Sequence, residues 1–343
     1  MKATKCILSL FATCFAVQSF AAPASAQQIT LKVSHYITPS HGIQVDFLEP
    51  WGKELEKRTN GKVKFEIFAV NSAFGNAARQ ADQLKAGVTD IAFGLRGIPR
   101  GRFERSSVFE LPFVVSKASA GSRALWEMYK DGTLAADYEG FKILGLMVHN
   151  GSPIHTTNKP IKSLEDFKGL RLRTPSDAVS ATLQYLGASP VGLPPAQIYE
   201  NLQKNVIDGL VTAWDLVGAI KLNEIVKHHT EAGMATAVFY IAMDQKRFDE
   251  LPADVKKAIE ETSGDAWVSK YGPWWDKWDA TAKADAQKRG HEIIEVSEEQ
   301  RRKWRADLKP MIDKYLADLD GKGVKNARQI YEKAVALVEK YEN

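Results

Sequence analysis

Cysteine is nearly missing from this chain: its 343 residues hold two, Cys6 and Cys14, both within the first 26 positions. Without them a protein has neither a disulfide framework nor a thiolate metal site. An excess of either charge is missing too. The 46 Lys and Arg stand against 42 Asp and Glu, for a net +4, and no basic stripe carries interleaved aromatics, which sets nucleic acid aside as a partner. The one long apolar run, Cys6 to Phe20, is about 15 residues, short of the roughly 20 that a bilayer span needs. Catalytic signatures are missing as well. There is no GxSxG elbow, no GxxxxGK[ST] loop, no HExxH and no GxGxxG after a strand. No nucleophile, base and orienting group combine, so the chain reads as a non-enzyme with no catalytic residues, no cofactor and no metal.

What is present begins with Lys2 and Lys5, the apolar run and the small-x-small triplet Ala24-Ser25-Ala26. Together they predict a secretory signal peptide over 1–26, cleaved before Gln27. Removing 26 of 343 residues leaves 317, and takes two of the 46 cations and no acid, so +4 becomes +2. Both cysteines go with it. A hydrophobic share of 44%, 26% charged residues and a mean hydropathy of −0.28 suit a soluble globular protein of two domains.

Periodicity then sets out the elements. Ile29, Leu31 and Val33 alternate as a strand, and Ile43, Phe47, Trp51 and Leu55 recur every four residues as an amphipathic helix ending near Asn60-Gly61. Val63–Val70 is a second strand, 77–86 a helix stopped by Gly87, and Asp90–Phe93 a third strand. This alternation predicts an α/β domain with a largely parallel sheet, whose ligands bind at the carboxyl ends of the strands. A strongly apolar strand, Phe141–His149, leads into Asn150-Gly151-Ser152-Pro153, which reads as a crossover. A second α/β unit follows, with strands at Leu170–Arg173 and Val206–Val211 and helices over 176–186 and 195–204. Ala235–Met243 is a last strand, and beyond it the chain reads as nearly all helical, with three helices after Glu298.

Several side chains invite chemistry. Trp267, Trp274, Trp275 and Trp278 share one face of a long helix bent near Gly272-Pro273; they line a sugar site or, on the reading that helical spacing favours, pack that helix across two domains. His228-His229 resembles a ligand pair, but neighbours on a helix point about 100° apart, which favours a solvated surface pair. Arg173 ends the strand Gly-Leu-Arg-Leu-Arg on the face opposite Leu170 and Leu172. A guanidinium there either grips a carboxylate in bidentate fashion within a cleft or makes a surface ion pair.

Across the whole region after residue 26 the sequence resembles the solute-binding receptors of tripartite ATP-independent periplasmic (TRAP) transporters, dicarboxylate-receptor type. The resemblance rests on TNGKVKFEIF at 59–68, SAFGN at 72–76, LKAGVTDIAF at 84–93 and VFELPFV at 108–114. SLEDFKGLRLRTP at 163–175, LGASPVGLPPAQIYENLQKNVIDG at 186–209 and MDQKRFDELPADVKKAI at 243–259 complete it.

This resemblance implies a two-domain α/β periplasmic binding protein with a ligand cleft between the domains and a long hinge-spanning helix. The expected divisions are 27–150 and 151–235 for the first parts of domains I and II, 236–278 for the return to domain I with the spanning helix, and 279–343 for C-terminal helices on domain II and across both. It implies that Arg173 binds the carboxylate of an organic anion, and that the partners are that small molecule and the membrane subunits of a sodium-coupled permease. A second arginine found in sialic-acid-type members is absent; Pro153 stands there with His155 nearby, and either Arg96 or His155 is expected to supply any second anion contact. The remaining pocket candidates are Tyr36, Asn76, Leu95, Asn150, Thr212, Trp214, Phe239 and Tyr240, with hinge packing the alternative for Trp214. Their aromatic and apolar character points to an aromatic or keto monocarboxylate. The competing reading is a secreted α/β enzyme acting on an organic acid, which would need an acid–base pair near Arg173.

Overall fold

The computed structural model describes residues 28–342; the expected signal peptide at 1–26 lies outside the described residues. In chain order the elements are β1 (Ile29–His35), α1 (Glu49–Arg58), β2 (Val63–Phe68), α2 (Gln80–Lys85), β3 (Ile91–Leu95), α3 (Ala118–Lys130) and β4 (Phe141–Val148). Then come β5 (Ile154–Thr156), β6 (Arg171–Thr174), α4 (Asp177–Tyr185), β7 (Ser189–Gly192), α5 (Ile198–Gln203), β8 (Gly209–Val211), α6 (Trp214–Ala219) and β9 (His228–Glu231). The last group is β10 (Val238–Asp244), α7 (Gln245–Asp249), α8 (Ala253–Thr262), α9 (Asp265–Lys288), β11 (Glu292–Glu295), α10 (Glu298–Gly321) and α11 (Ala327–Glu342).

Two sheets organise these elements. The first has the order β2-β1-β3-β10-β4 and the second β11-β9-β5-β8-β6-β7. β1 runs parallel to β2 and β3, whereas β10 is antiparallel to both of its neighbours. The chain passes from β4 to β5 through 149–153 and returns from β9 to β10 through 232–237, so each sheet is completed by a segment distant in sequence. Among the described residues no helix is long and apolar enough to cross a membrane.

α9 joins the two halves. Trp267, Tyr271, Trp275 and Trp278 are buried in the core over the first sheet, while Ala282 and Ala286, farther along the helix, belong to a core of the second. Pro273 lies inside this continuous helix. The tryptophan stripe therefore packs the helix, as helical spacing favours, and Trp275 also borders the space between the sheets. Trp267 sits edge-on to Phe47 at 4.8 Å and to Trp51 at 4.9 Å, and the Trp51 Nε1–H donates to Thr262 Oγ1 at 2.9 Å.

Three expectations are corrected. His228-His229 lies on a strand, not a helix: His229 is buried, and His228 pairs with Glu292 at 2.8 Å. Strand alternation sends the two rings to opposite faces, so they form no solvated surface pair. The C-terminal region contains a strand, β11, parallel to β9, which closes the second sheet's edge. Two helices follow Glu298, since α10 continues through Pro310.

Trp267→Ala deletes the indole on which Phe47 and Trp51 pack. It is expected to destabilise the protein by about 3–5 kcal/mol, read as a lower urea midpoint; a midpoint within experimental error of wild type would show that this aromatic cluster carries no stability.

Candidate ligand-binding site

The carboxyl ends of β1, β3, β6 and β8 converge between the sheets, together with the end of β4 and the start of β10. They enclose a chamber of about 30 Å³ whose wall includes Tyr36, Leu95, His149, Arg173, Thr212 and Phe239. Arg173 lies on β6 between β7 and β8, in register with Val191 and Leu210, so both neighbouring strands fix its backbone. Its side chain is 1% exposed. The Nε–H donates to the Leu193 carbonyl at 3.0 Å, and among the described residues no carboxylate forms an ion pair with it. Burial draws its pKa down to about 10, with nearby Tyr36 opposing the shift. The guanidinium is thus still a cation at neutral pH, and a buried cation without a counter-charge is costly until an anion joins it.

The other arginines of the region are already used. Arg171, two residues earlier on the same face but at the exposed end of β6, is bridged by Asp208 at 3.0 and 2.6 Å. Arg96 is as buried as Arg173, but its Nη2 lies 2.5 Å from Glu110 Oε2. Burial works against its charge, yet Glu110 more than compensates and raises its pKa.

One wall of the chamber is aromatic. Tyr36 stacks on Phe93 at 5.7 Å, Phe93 on Phe239 at 5.4 Å and Phe239 on Trp275 at 5.5 Å. Tyr36 is fully enclosed; burial, aided by Asp215 and opposed by Arg173, lifts its pKa well above the ordinary tyrosine value, so it remains a neutral hydroxyl. Trp275 Nε1 is a buried donor with no partner among the described residues.

The structure brings Arg173, Tyr36, Leu95, Thr212 and Phe239 together around the chamber and places the other candidates elsewhere. Trp214 opens α6, so its ring turns away from the cleft; it lies 4.8 Å from His155 and 4.5 Å from His229, and its Nε1–H donates to Glu231 at 2.8 Å. The next residues of that helix, Asp215 and Leu216, face the chamber instead. Tyr240 points to the opposite face of β10 from Phe239 and packs on Phe103. Asn76 caps the turn before α2, accepting from the Ala78 N–H at 2.9 Å. Asn150 donates to Asp276 at 3.0 Å and to Asp279 at 2.9 Å. The residue before it, His149, lines the chamber, a one-residue shift that strand alternation at the end of β4 accounts for.

Neither expected second cation is available. Arg96 is held by Glu110, and His155 is buried in a histidine chain. His155 Nε2–H donates to the Thr212 carbonyl at 3.2 Å, while its Nδ1 lies 2.7 Å from His229 Nδ1, and His229 Nε2 lies 3.0 Å from His291 Nδ1. Burial lowers the His155 pKa to about 3, so the ring is neutral.

Contacts on both sides of the chamber close the cleft. His41, after β1, lies 3.0 Å from Asp215 Oδ2 of α6; its Nδ1 accepts from the Ile43 N–H, which leaves Nε2–H as the donor to Asp215. On the other side Arg100 meets Asp177 at 3.1 Å, and Gly97 approaches so closely that a Cβ there would fall 2.3 Å from the Pro175 carbonyl oxygen. The Asp215 N–H donates to Asp279 of α9 at 2.8 Å. Burial, with Asp215 nearby, pushes the Asp279 pKa up to about 7.

Residues 33–318 match the family model of bacterial extracellular solute-binding proteins, family 7. A TRAP solute-binding protein from Rhodoferax ferrireducens, crystallised with copurified benzoate, is 32% identical; the alignment covers 92% of this chain and 99% of that one, with a TM-score of 0.86. A marine metagenome TRAP solute-binding protein described as specific for aromatic acids, in complex with metahydroxyphenylacetate, is 29% identical over 92% and 100% of the two chains, with a TM-score of 0.87. The C4-dicarboxylate-binding periplasmic protein DctP of Rhodobacter capsulatus is 27% identical over 85% of this chain and 87% of its own.

The raised Asp279 carboxyl makes stability depend on pH. The unfolded chain titrates it near 3.8 and the folded protein near 7. Its contribution is therefore complete below about pH 4 and is lost as pH rises through 7, at up to about 1.4 kcal/mol per pH unit. Asp279→Asn is expected to flatten the stability–pH curve between pH 4 and 7 in urea titrations; parallel curves for the two proteins would refute the shift.

Proposed function

Because this chain belongs to family 7 of the bacterial extracellular solute-binding proteins, periplasmic receptors of TRAP transporters rather than enzymes, we propose that it captures an aromatic monocarboxylate and hands it to the membrane subunits of a sodium-driven permease. The observation that carries this reading is the buried Arg173 guanidinium without a protein counter-charge. An anion that replaces its lost hydration gains a charge-assisted, bidentate contact in a site shielded from water. The wall of Tyr36, Phe239 and Trp275 offers a flat apolar body both area and ring stacking. A sugar acid would leave hydroxyls unpaired against these rings, at about 1–3 kcal/mol for each one buried. The aromatic acids bound by the marine and Rhodoferax proteins support the same choice.

Calorimetric titration with benzoate, 3-hydroxybenzoate and succinate tests the assignment. The two aromatic acids are expected to bind more tightly than succinate, and Arg173→Lys to weaken them by about 2–5 kcal/mol with the circular dichroism unchanged. Unaltered affinity would place the carboxylate elsewhere. Delivery is tested in cells carrying the matching permease: benzoate uptake should need this receptor and external sodium, and Arg173→Lys should not restore it.

Ring stacking is tested separately. Phe239→Leu is expected to weaken benzoate by about 0.5–1.5 kcal/mol, the value of an aromatic pair. Trp214→Phe, whose ring packs on His155 and His229, should leave affinity unchanged. The reverse pattern would return Trp214 to the pocket wall.

A further inference from the structure

The chamber does not end at Tyr36. A second, larger cavity of about 470 Å³ adjoins it, and Tyr36, Ile37, Pro195 and Leu216 line both. The inner chamber, at about 30 Å³, has room for little more than a carboxylate or two waters, whereas the outer cavity falls within the size range of small-molecule sites. Its floor is apolar, with Val70, Ala219 and Ile220, and three polar groups stand around it. Thr38 Oγ1 is buried and has no hydrogen-bond partner among the described residues. Tyr199 donates its hydroxyl to Glu224 Oε2 at 2.8 Å. Lys221 is held in the left-handed backbone region at φ 58°, and among the described residues no carboxylate forms an ion pair with its ammonium.

We propose that this outer cavity is a second subsite, which receives the far end of an elongated aromatic acid whose carboxylate lies on Arg173. The inference rests on the carboxylate reading above and narrows its ligand class. Benzoate seats its carboxylate in the inner chamber and its ring beside Tyr36, short of the outer cavity's floor; an aryl-alkanoate reaches past Tyr36 and buries its ring against Leu216 and Ile220. The far substituent is a neutral hydrogen-bonding group, such as a phenolic hydroxyl. Thr38 and Lys221 can donate to it and Glu224 can accept from it, whereas a second carboxylate there would meet Glu224 as well as Lys221.

Titrations with benzoate, 3-phenylpropanoate, 3-(4-hydroxyphenyl)propanoate and 3-(4-carboxyphenyl)propanoate test this. The hydroxylated long acid is expected to bind about tenfold more tightly than benzoate, the effect of burying two further methylenes, and more tightly than its carboxylated analogue. Ala219→Phe, which places a ring where the long acid's own would lie in the outer cavity, should cost the long acids about tenfold or more and leave benzoate within about twofold. If that variant fails to fold, Ala196→Trp at the exposed opposite rim replaces it. Thr38→Val should weaken the hydroxylated acid and spare 3-phenylpropanoate. Equal affinity for benzoate and the long acids, or an equal loss for both in the cavity-filling variant, overturns the second subsite while leaving the carboxylate reading intact. Tighter binding of the carboxylated analogue overturns the neutral far group. Failure of every aromatic acid to bind overturns both readings.

Discussion

A buried positive charge with no carboxylate paired to it among the described residues is expensive, and the folded chain holds one at Arg173 on a backbone fixed from both sides. β7 and β8 pair with β6 at the arginine itself, and the Leu193 carbonyl takes the Nε–H. Nearby arginines show the alternative. Arg171 and Arg96 have their carboxylates, Asp208 and Glu110, and are locked by them. What separates Arg173 from these two is thus that no acid among the described residues pairs with it, a property that neighbours contribute and the residue itself does not. On the proposed function, a bound carboxylate would offset that cost.

Around that charge the two halves of the molecule are built so that neither stands alone. β10 is laid between β3 and β4 after the chain has completed most of the second sheet, and α9 then runs from the core of the first half into that of the second. The cleft lies where these crossings meet. His41 and Asp215 close one side, and Arg100 with Asp177 closes the other. Asp279 supports Asp215 through its backbone N–H and holds Asn150 at the crossover. One small polar network therefore touches the first half, the second half and the spanning helix at once, beside the chamber that holds Arg173.

Aromatic residues divide between two tasks according to where their elements place them. Trp267 and Trp51 fill the core beneath the first sheet, while Phe239 and Trp275 continue the same apolar mass up to the chamber wall. The wall's rings are stacked on core rings, so the chamber presents a surface already ordered, with little further entropy to lose.

Much of this was legible in the chain. Strand alternation and the four-residue helical repeat located most elements, because a half-buried strand or helix must repeat its apolar residues at its own period. The run at 163–175 singled out Arg173, and the order of motifs indicated the family. Tertiary structure decided which neighbour of each candidate faces the chamber. Trp214 and Asp215 are adjacent, but on α6 one residue is about 100° of rotation, enough to turn the indole onto His155 and bring the carboxylate to the cleft. His149 and Asn150 exchange roles for the corresponding reason at the end of β4. His155 looked like a spare cation until β9 placed His229 against it and burial removed its proton. Periodicity is a local property of the backbone and can be read from sequence alone; facing and charge state depend on residues tens or hundreds of positions away, and only the folded chain brings them together.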